Sequence, residues 1–144
     1  MIRRLLLSIL MLAAVPAQAL DFRSTANPAA VLYDAPSTTA RPLFVLSKGY
    51  PLEVVVSITG WAKVRDSSGA MAWIQAAQLS ATHTVVVRHA TQIRAQAQDN
   101  APVNAQVAAG VILEWLENAS GGWAKVRLPD QSVGYIKLDQ VWGA

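Results

Sequence analysis

The hexapeptide Gly-Trp-Ala-Lys-Val-Arg occupies residues 60–65 and occurs again, letter for letter, at residues 122–127. An aromatic residue followed by Ile comes twelve residues after each Trp, as Trp73-Ile74 and then as Tyr135-Ile136. The chain is therefore an internal duplication with a period of about sixty residues, which is too long for a solenoid repeat. Each copy is long enough to form a small domain of its own.

The duplication extends upstream of the hexapeptide. A Gly followed three residues later by Leu-Glu starts at Gly49 and again at Gly110, an offset of 61 instead of 62. We attribute the difference to one inserted residue in the turn before Gly122. We place the first domain at residues 20–80 and the second at residues 81–144.

Short strands separated by turn residues account for most of each copy. Residues 52–58 alternate with a period of two and are rich in β-branched side chains, which predicts a strand. Residues 61–66 and 71–75 predict two further strands that flank the tight turn at 67–69. No segment after residue 20 has a helical period. We therefore predict an all-β fold made of two small antiparallel domains.

The first nineteen residues have the pattern of a secretory signal. Arg3 and Arg4 precede an apolar run at residues 5–15, and Ala-Gln-Ala follows at 17–19. Eleven apolar residues are too few to span a membrane, which takes about twenty. We expect cleavage after Ala19, a periplasmic or secreted mature protein and no membrane span in it.

The composition excludes several classes of protein. Hydrophobic residues make up 53% of the chain and charged residues 15%, so a disordered polar chain is excluded. From residue 20 onward the chain has ten Lys and Arg residues and nine Asp and Glu residues. The chain therefore lacks the excess of basic residues that is typical of nucleic-acid-binding proteins. The chain has no Cys, so an exported form is stabilised without disulfides.

The duplicated motif resembles the bacterial SH3 (SH3b) domain, in tandem, as in small exported bacterial SH3-domain proteins. The features that match are the strand after each upstream Gly, the Gly-Trp-x-Lys-Val core and the aromatic-Ile pair. The resemblance implies two SH3-like antiparallel barrels. Two features depart from the family pattern: Ala72 stands where the second copy has the usual Gly134, and residues 97–99 replace the Pro-Ser-Thr of residues 36–38.

Strand parity suggests which side chains could reach a ligand. Val64 is the family's core position, so Trp61 and the basic residues beside it point away from the core. The eukaryotic SH3 domains that this fold resembles line a peptide groove with a Trp at this first position. The candidate ligand-binding residues are Trp61, Lys63, Arg65 and Trp73 in the first copy, and Trp123, Lys125, Arg127 and Tyr135 in the second.

A structural interpretation of the same residues stays open. The aromatic side chains could cap the barrel ends or fill an interface between the copies, because large aromatic residues are usually mostly buried. The four basic residues could simply form a solvated face.

Catalytic and metal-binding patterns find little support, and we predict no catalytic residue, no metal site and no cofactor. His83 and His89 have no neighbouring carboxylate that would complete a metal site. Glu114 and Glu117 are at odd spacing on one strand and so point to opposite faces, which does not suit paired acid-base work.

Three functions compete. The first is a non-catalytic cell-envelope module that recognises peptidoglycan or its stem peptides. The second is a protein-interaction module that binds an extended segment or a sheet edge of an envelope protein. The third is a small enzyme, for which no nucleophile or metal constellation is apparent. Nucleic acid is not an expected partner, and the mature protein is expected to have no membrane span.

Overall fold

The computed structural model describes residues 19–144, in which the chain forms fourteen β-strands and two single 3-10 turns. Neither of the helical turns in this range is long or apolar enough to cross a membrane. The signal sequence predicted at residues 1–19 lies almost wholly outside the described residues. The strands form two separate antiparallel sheets of seven.

The first sheet, here called the first unit, comprises residues 21–80. Its strands are β1 (Asp21–Thr25), β2 (Ala29–Tyr33), β3 (Pro42–Ser47), β4 (Pro51–Ile58), β5 (Trp61–Arg65), β6 (Met71–Gln75) and β7 (Leu79–Ser80). They lie in the order β3-β2-β6-β5-β4-β1-β7, with the 3-10 turn Ala76–Gln78 leading into β7. The last strand thus pairs with the first, which draws the two ends of the unit together.

The second sheet, the second unit, comprises residues 84–142. Its strands are β8 (Thr84–Val87), β9 (Thr91–Arg94), β10 (Val103–Val107), β11 (Ile112–Ala119), β12 (Trp123–Arg127), β13 (Val133–Lys137) and β14 (Val141–Trp142). Their order, β10-β9-β13-β12-β11-β8-β14, repeats that of the first unit, and the 3-10 turn Leu138–Gln140 again precedes the last strand. The predicted all-β fold with two antiparallel units is confirmed.

The duplicated hexapeptide supplies the central strand of each core. Val64 and Val126 have no exposed surface, and each lies in the hydrophobic cluster of its own unit. Ala62 and Ala124 are buried on the same face, as the period of two requires. The predicted inward face of the two strands is confirmed.

The long strand β4 departs from a simple alternation. Its pairing with β5 shifts by one residue between Val54 and Val56, which is a β-bulge. Leu52 is fully buried and Val54 packs on the core, but Val56 and Ile58 beyond the bulge are exposed. The bulge therefore turns the apolar second half of β4 away from the core, which the period of two alone did not predict. An equivalent bulge lies between Trp115 and Glu117 in β11.

The two units contact each other directly. Strand β8 is buried at all four positions, because Val85 and Val87 face their own core while Thr84 lies against the first unit. The Thr84 hydroxyl donates a 2.7 Å hydrogen bond to the Gly49 carbonyl, and the Ser24 hydroxyl donates to the Thr82 carbonyl at 2.8 Å. These contacts cross between the units, so the segment that joins them is held against the first unit.

Aromatic side chains cover one side of the contact. The ring of Phe22 stacks on His83 at a centroid distance of 5.6 Å and meets Trp142 edge to face at 5.3 Å. The His83 ring is also tilted against Trp115 at 4.2 Å, and its Nε2 donates to the Gly143 carbonyl. Packed aromatic rings of this kind stabilise the contact beyond the area they bury.

Candidate functional site

The outward face of β5 and β6 brings three of the predicted residues of the first unit together. The register pairs Lys63 directly with Trp73 and pairs Trp61 with Gln75. Directly opposite residues on an antiparallel pair place their side chains on the same face of the sheet. Trp61, Lys63 and Trp73 are all half-buried, so each keeps part of its surface open to solvent.

Neighbouring strands extend this face on both sides. Tyr33 in β2 pairs with Trp73, and Val56 in β4 pairs with Lys63. The Tyr33 ring also meets Trp61 edge to face, with 5.7 Å between the centroids. We call the surface formed by Tyr33, Val56, Trp61, Lys63 and Trp73 the aromatic face.

Sequence reasoning missed Tyr33 and Val56. Tyr33 ends the strand before the Pro-bracketed loop, and an aromatic residue at that place was a usable signal. Val56 could not have been found in the same way, because its outward direction depends on the bulge in β4.

The basic residues divide into two kinds. Arg65 Nη1 donates to Glu53 Oε2 at 2.9 Å, and in the second unit Arg127 Nη1 donates to Glu114 Oε2 at the same distance. Each Arg lies opposite its Glu in the strand pairing, so both pairs are built into the sheet. Lys63, in contrast, forms no ion pair with any residue of the range 19–144. Of the predicted cations of the first unit, Lys63 is the one left available to a ligand.

A small cavity of about 150 Å³ lies beside Trp61. Its lining is mixed: the apolar residues are Val54, Ile58, Trp61, Ala62, Ala76 and Leu79, and the polar residues are Asp21, Arg23 and Ser57. The ion pair between Arg23 and Asp21, at 2.9 Å, forms part of its wall. The cavity therefore offers both apolar and polar wall groups to a side chain of a ligand.

The surface of the second unit that corresponds to the aromatic face has more charged residues. Tyr135 pairs with Lys125 on one side and with Arg94 on the other. Lys125 in turn pairs with Glu117 in β11. Arg94 and Glu117 thus replace Tyr33 and Val56 of the first unit. The predicted residues Lys125 and Tyr135 do lie together on one face, as expected from the strand parity.

The ring of Trp123 is covered by a neighbouring side chain. It is only 6% exposed, whereas the equivalent Trp61 is half-buried. Lys137 lies opposite Trp123 in the strand pairing, and its Nζ is 5.7 Å from the centre of the indole ring. The ammonium group therefore covers the ring through a cation–π contact.

An ion pair holds Lys137 over Trp123. Lys137 Nζ lies 2.7 Å from Asp99 Oδ1, which belongs to the loop between β9 and β10. The hydrogen bond and charge of Lys137, and more weakly the charge of Arg94, hold the pKa of the Asp99 carboxyl below its usual value. A cleft of about 230 Å³ opens around these groups, lined by Thr91, Gln92, Arg94, Asp99, Trp123, Lys137 and Gln140. We call it the charged cleft.

The loop that carries Asp99 has the same backbone in both units. In the first unit Ala40 N–H donates to the Ser37 carbonyl, and in the second Ala101 N–H donates to the Gln98 carbonyl. The departure of residues 97–99 from the family pattern thus leaves the conformation of the loop intact and changes its chemistry. Asp99 occupies the place of Thr38.

The groups considered for catalysis have other roles. His83 packs between Phe22 and Trp115 in the contact between the units. Glu114 is held by Arg127, and Glu117 lies opposite Lys125. The prediction that the two Glu residues point to opposite faces is wrong, because the bulge between Trp115 and Glu117 brings both to the same face. Across residues 19–144, no three His, Cys, Asp or Glu side chains gather in a way that could hold a metal ion.

Comparison with protein families gives one match in each half of the chain. The sequence profile of the bacterial SH3 domain matches residues 26–81. The profile of the bacterial dipeptidyl-peptidase Sh3 domain matches residues 93–141. A comparison with curated proteins gives no match.

Three solved structures align with most of this chain at low identity and low TM-score. They are NlpC1 of Trichomonas vaginalis (TM-score 0.40, 20% identity, 95% of this chain and 50% of that one), NlpC2 of Trichomonas vaginalis (0.39, 18%, 87% and 48%) and an NlpC/P60 family protein of Bacillus cereus ATCC 10987 (0.39, 14%, 83% and 55%). The chain spans about half the length of each of these proteins.

Proposed function

From the premise that this chain consists of two bacterial SH3 domains in tandem, we propose that it is a non-catalytic module that binds the cell envelope. Its ligand in this proposal is peptidoglycan, recognised through the stem peptides, and its binding site is the aromatic face of the first unit. Bacterial SH3 domains commonly bind cell-wall or peptide ligands, which supports this ligand class.

The observation that carries the proposal is the exposure of the aromatic face. Tyr33, Trp61 and Trp73 are half-buried side by side, and Lys63 next to them has no carboxylate partner in the described chain. Aromatic-lined grooves receive extended peptides, and a lysine can pair with a peptide carboxylate. Stem peptides are extended and carry carboxylates, so both features of the face have a counterpart on the ligand.

The cavity beside Trp61 adds a place for one side chain of the peptide. With about 150 Å³ and walls that are partly apolar and partly polar, it has room for one small side chain. Trp61 then takes part in both the open face and the cavity, which makes it the residue whose loss should weaken binding most.

The proposal includes the location of the protein in the cell. The signal-like residues 1–19 support export and cleavage, which would place the protein in the periplasm or outside the cell. Mass spectrometry of the protein recovered from the cell envelope should give Leu20 as its first residue. A retained Met1 would contradict processing.

A second candidate function is an interaction with an extended segment of an envelope protein. Strand β3 is the outer strand of the first sheet, and its Phe44 and Val45 are exposed. An exposed edge of this kind can accept an additional strand from a partner. The two candidates use different surfaces of the first unit, so single substitutions separate them.

The decisive experiment is co-sedimentation of the protein with purified peptidoglycan sacculi. Trp61→Ala should weaken the binding by about 30-fold or more, since a hot-spot aromatic contributes about 2 kcal/mol or more. Val45→Lys, which alters the edge strand β3, is the matched control and should bind like the wild type. Both variants should retain the strand-rich circular dichroism spectrum.

Three results would contradict the proposal. Failure of the wild type to sediment with sacculi would exclude peptidoglycan as the ligand. Loss of binding in Val45→Lys alone would assign the function to the edge strand. Release of soluble fragments from sacculi during the incubation, measured by chromatography, would show catalysis.

A further inference from the structure

The charged cleft of the second unit has an excess of positive charge. Arg94 and Lys137 both line it, and Asp99 is its one acidic lining residue. Arg94 Nη1 donates to the Ala101 carbonyl at 2.8 Å and Nη2 donates to Gln92 Oε1 at 2.9 Å. No carboxylate of residues 19–144 forms an ion pair with Arg94, so hydrogen bonds to neutral groups orient its charge without neutralising it.

Asp99 partly neutralises the positive charge of the cleft, but few contacts hold its side chain in place. Its side chain is 79% exposed and belongs to a loop, and Lys137 is its partner at 2.7 Å. Exposed ion pairs contribute little free energy, so a group of the same chemistry can displace one of the partners. Lys137, in contrast, extends from strand β13 and rests on Trp123, which fixes its position.

We propose that the charged cleft is a binding site for a carboxylate group of a ligand and that Asp99 is its intramolecular occupant. The incoming carboxylate takes the place of the Asp99 side chain on Lys137 and is also attracted by Arg94. Trp123 and the polar groups of Thr91, Gln92 and Gln140 form the remaining wall of the cleft. Arginine and lysine together are a common carboxylate-binding combination.

The equivalent position in the first unit lacks the charged groups that would bind a carboxylate. Tyr33, Thr38 and Gln75 occupy the positions of Arg94, Asp99 and Lys137 there. None of these three side chains is charged at neutral pH. The proposed site is therefore specific to the second unit, and it stands independently of the aromatic face.

Nuclear magnetic resonance titration of the whole protein tests the proposal, with the Trp123 indole N–H signal as the readout. The first probe is N-acetyl-alanyl-alanine, which has a free C-terminal carboxylate, and its C-terminal amide is the matched control. A second probe, N-acetylglutamic acid α-amide, carries a side-chain carboxylate only. Binding of the first probe identifies a peptide terminus as the source of the carboxylate, and binding of the second identifies an acidic side chain.

Two variants connect the binding to the named groups. Asp99→Asn removes the intramolecular occupant and should bind the carboxylate probe more tightly, by up to about fivefold, the usual value of an exposed ion pair. Lys137→Gln should abolish the titration. Lys48→Gln removes one positive charge from the first unit and should leave the titration unchanged.

The proposal is overturned if neither carboxylate probe shifts the Trp123 signal in the wild type or in Asp99→Asn. An equal shift with the amide control, or unchanged binding in Lys137→Gln, would also overturn it. Failure of the aromatic face to bind sacculi leaves this result unaffected, because the probe and the readout belong to the second unit.

Discussion

The two units share one backbone and differ in the chemistry they present at one end. Their inward residues are nearly the same: Val64 corresponds to Val126, and Ile74 corresponds to Ile136. On the outside, the aromatic face of the first unit offers exposed rings, whereas in the second unit an ion pair covers the equivalent ring. The comparison shows that the duplicated core determines the fold, while substitutions at a few outward positions give each unit its own surface.

The position that follows Leu-Glu in the long strand gives a second contrast: it is Val54 in the first unit and Trp115 in the second. Val54 in the first unit lines the small cavity beside Trp61. Trp115 takes its place in the second unit, where its ring packs on His83 and its Nε1 donates to Asn118 Oδ1 at 2.9 Å. At equivalent positions, one unit has a residue that lines a cavity and the other has an aromatic residue that joins the contact between the units.

The largest expected effect is the loss of stability when a charge is placed in either core, which tests whether the two cores are equivalent. Val64→Asp and Val126→Asp each bury a carboxylate without a partner, which costs several kcal/mol. Because a whole protein is stable by only about 5–15 kcal/mol, each variant should unfold its own unit. Thermal melting followed by circular dichroism should show comparable losses for the two variants.

Val55→Asp is the matched control for this pair. Val55 lies in β4 next to Val54 but is 41% exposed, so its carboxylate stays in water. We expect a change of melting temperature close to zero. A normal melt for Val64→Asp, or a much smaller effect for Val126→Asp, would show that the two cores are not equivalent.

The next effect separates the two equivalent Trp residues. Trp123→Ala should cost about 3–5 kcal/mol, because a buried aromatic leaves a cavity. Trp61→Ala should cost only about 1–2 kcal/mol, since less of its apolar surface is removed from water. Urea unfolding of both variants measures the difference. A greater loss for Trp61 would mean that the aromatic face is mainly structural and would weaken the proposed binding site.

Much of this comparison could be predicted from the sequence, since the repeated hexapeptide and the period of two in residues 52–58 depend on local patterns. They predicted two all-β units and the inward direction of Val64 and Val126, which the structure confirms. The ligand-binding role of the eight predicted residues stays a prediction. Their placement, however, is now known, and Arg65 and Arg127 are held in ion pairs within the sheets.

The features that the sequence could not predict depend on contacts between distant residues. The ion pair beside Trp123 joins Asp99 and Lys137, which are 38 positions apart in the chain and meet across a loop and a strand. The direction of Val56 requires the bulge in β4. Neither follows from a local period, because strand register and loop position are set by the whole sheet.

A smaller effect concerns an inward position where the first unit has Ala72 and the second has Gly134. A Cβ on Gly134 would lie 2.4 Å from Ile93 Cγ2 and 3.0 Å from the Arg94 carbonyl oxygen. Gly134→Ala should therefore overpack the second core and cost about 1–3 kcal/mol. The equivalent Ala72 is buried without such a conflict, and Ala72→Gly should cost about 1 kcal/mol or less.

Urea unfolding of these two variants shows whether the cores are packed differently at this place. Both changes should shift the midpoint and leave the slope unchanged. If Gly134→Ala were neutral, Ile93 would have room to move, and the departure of Ala72 from the family pattern would have no structural meaning.

The smallest effect concerns the hairpin turn before the last long strand. Gln131 has a φ of 72°, in the left-handed region, where the first unit has Gly69 with a φ of 88°. The turns are otherwise alike: Gly69 N–H donates to the Asp66 carbonyl, and Gln131 N–H donates to the Leu128 carbonyl. A residue with a Cβ is strained in this conformation by roughly 1–2 kcal/mol, and glycine is not.

Gln131→Gly should consequently stabilise the protein by about 0.5–1 kcal/mol, because the relief of strain exceeds the entropy that glycine loses on folding. Gly69→Gln should have the opposite sign in the first unit. Gln131→Asn is the matched control and should fall between the wild type and the glycine variant, since asparagine tolerates the left-handed region. Urea midpoints of the three variants measure the order. Destabilisation by Gln131→Gly would mean that the side-chain contact from Gln131 Nε2 to the Pro129 carbonyl, at 3.4 Å, outweighs the strain.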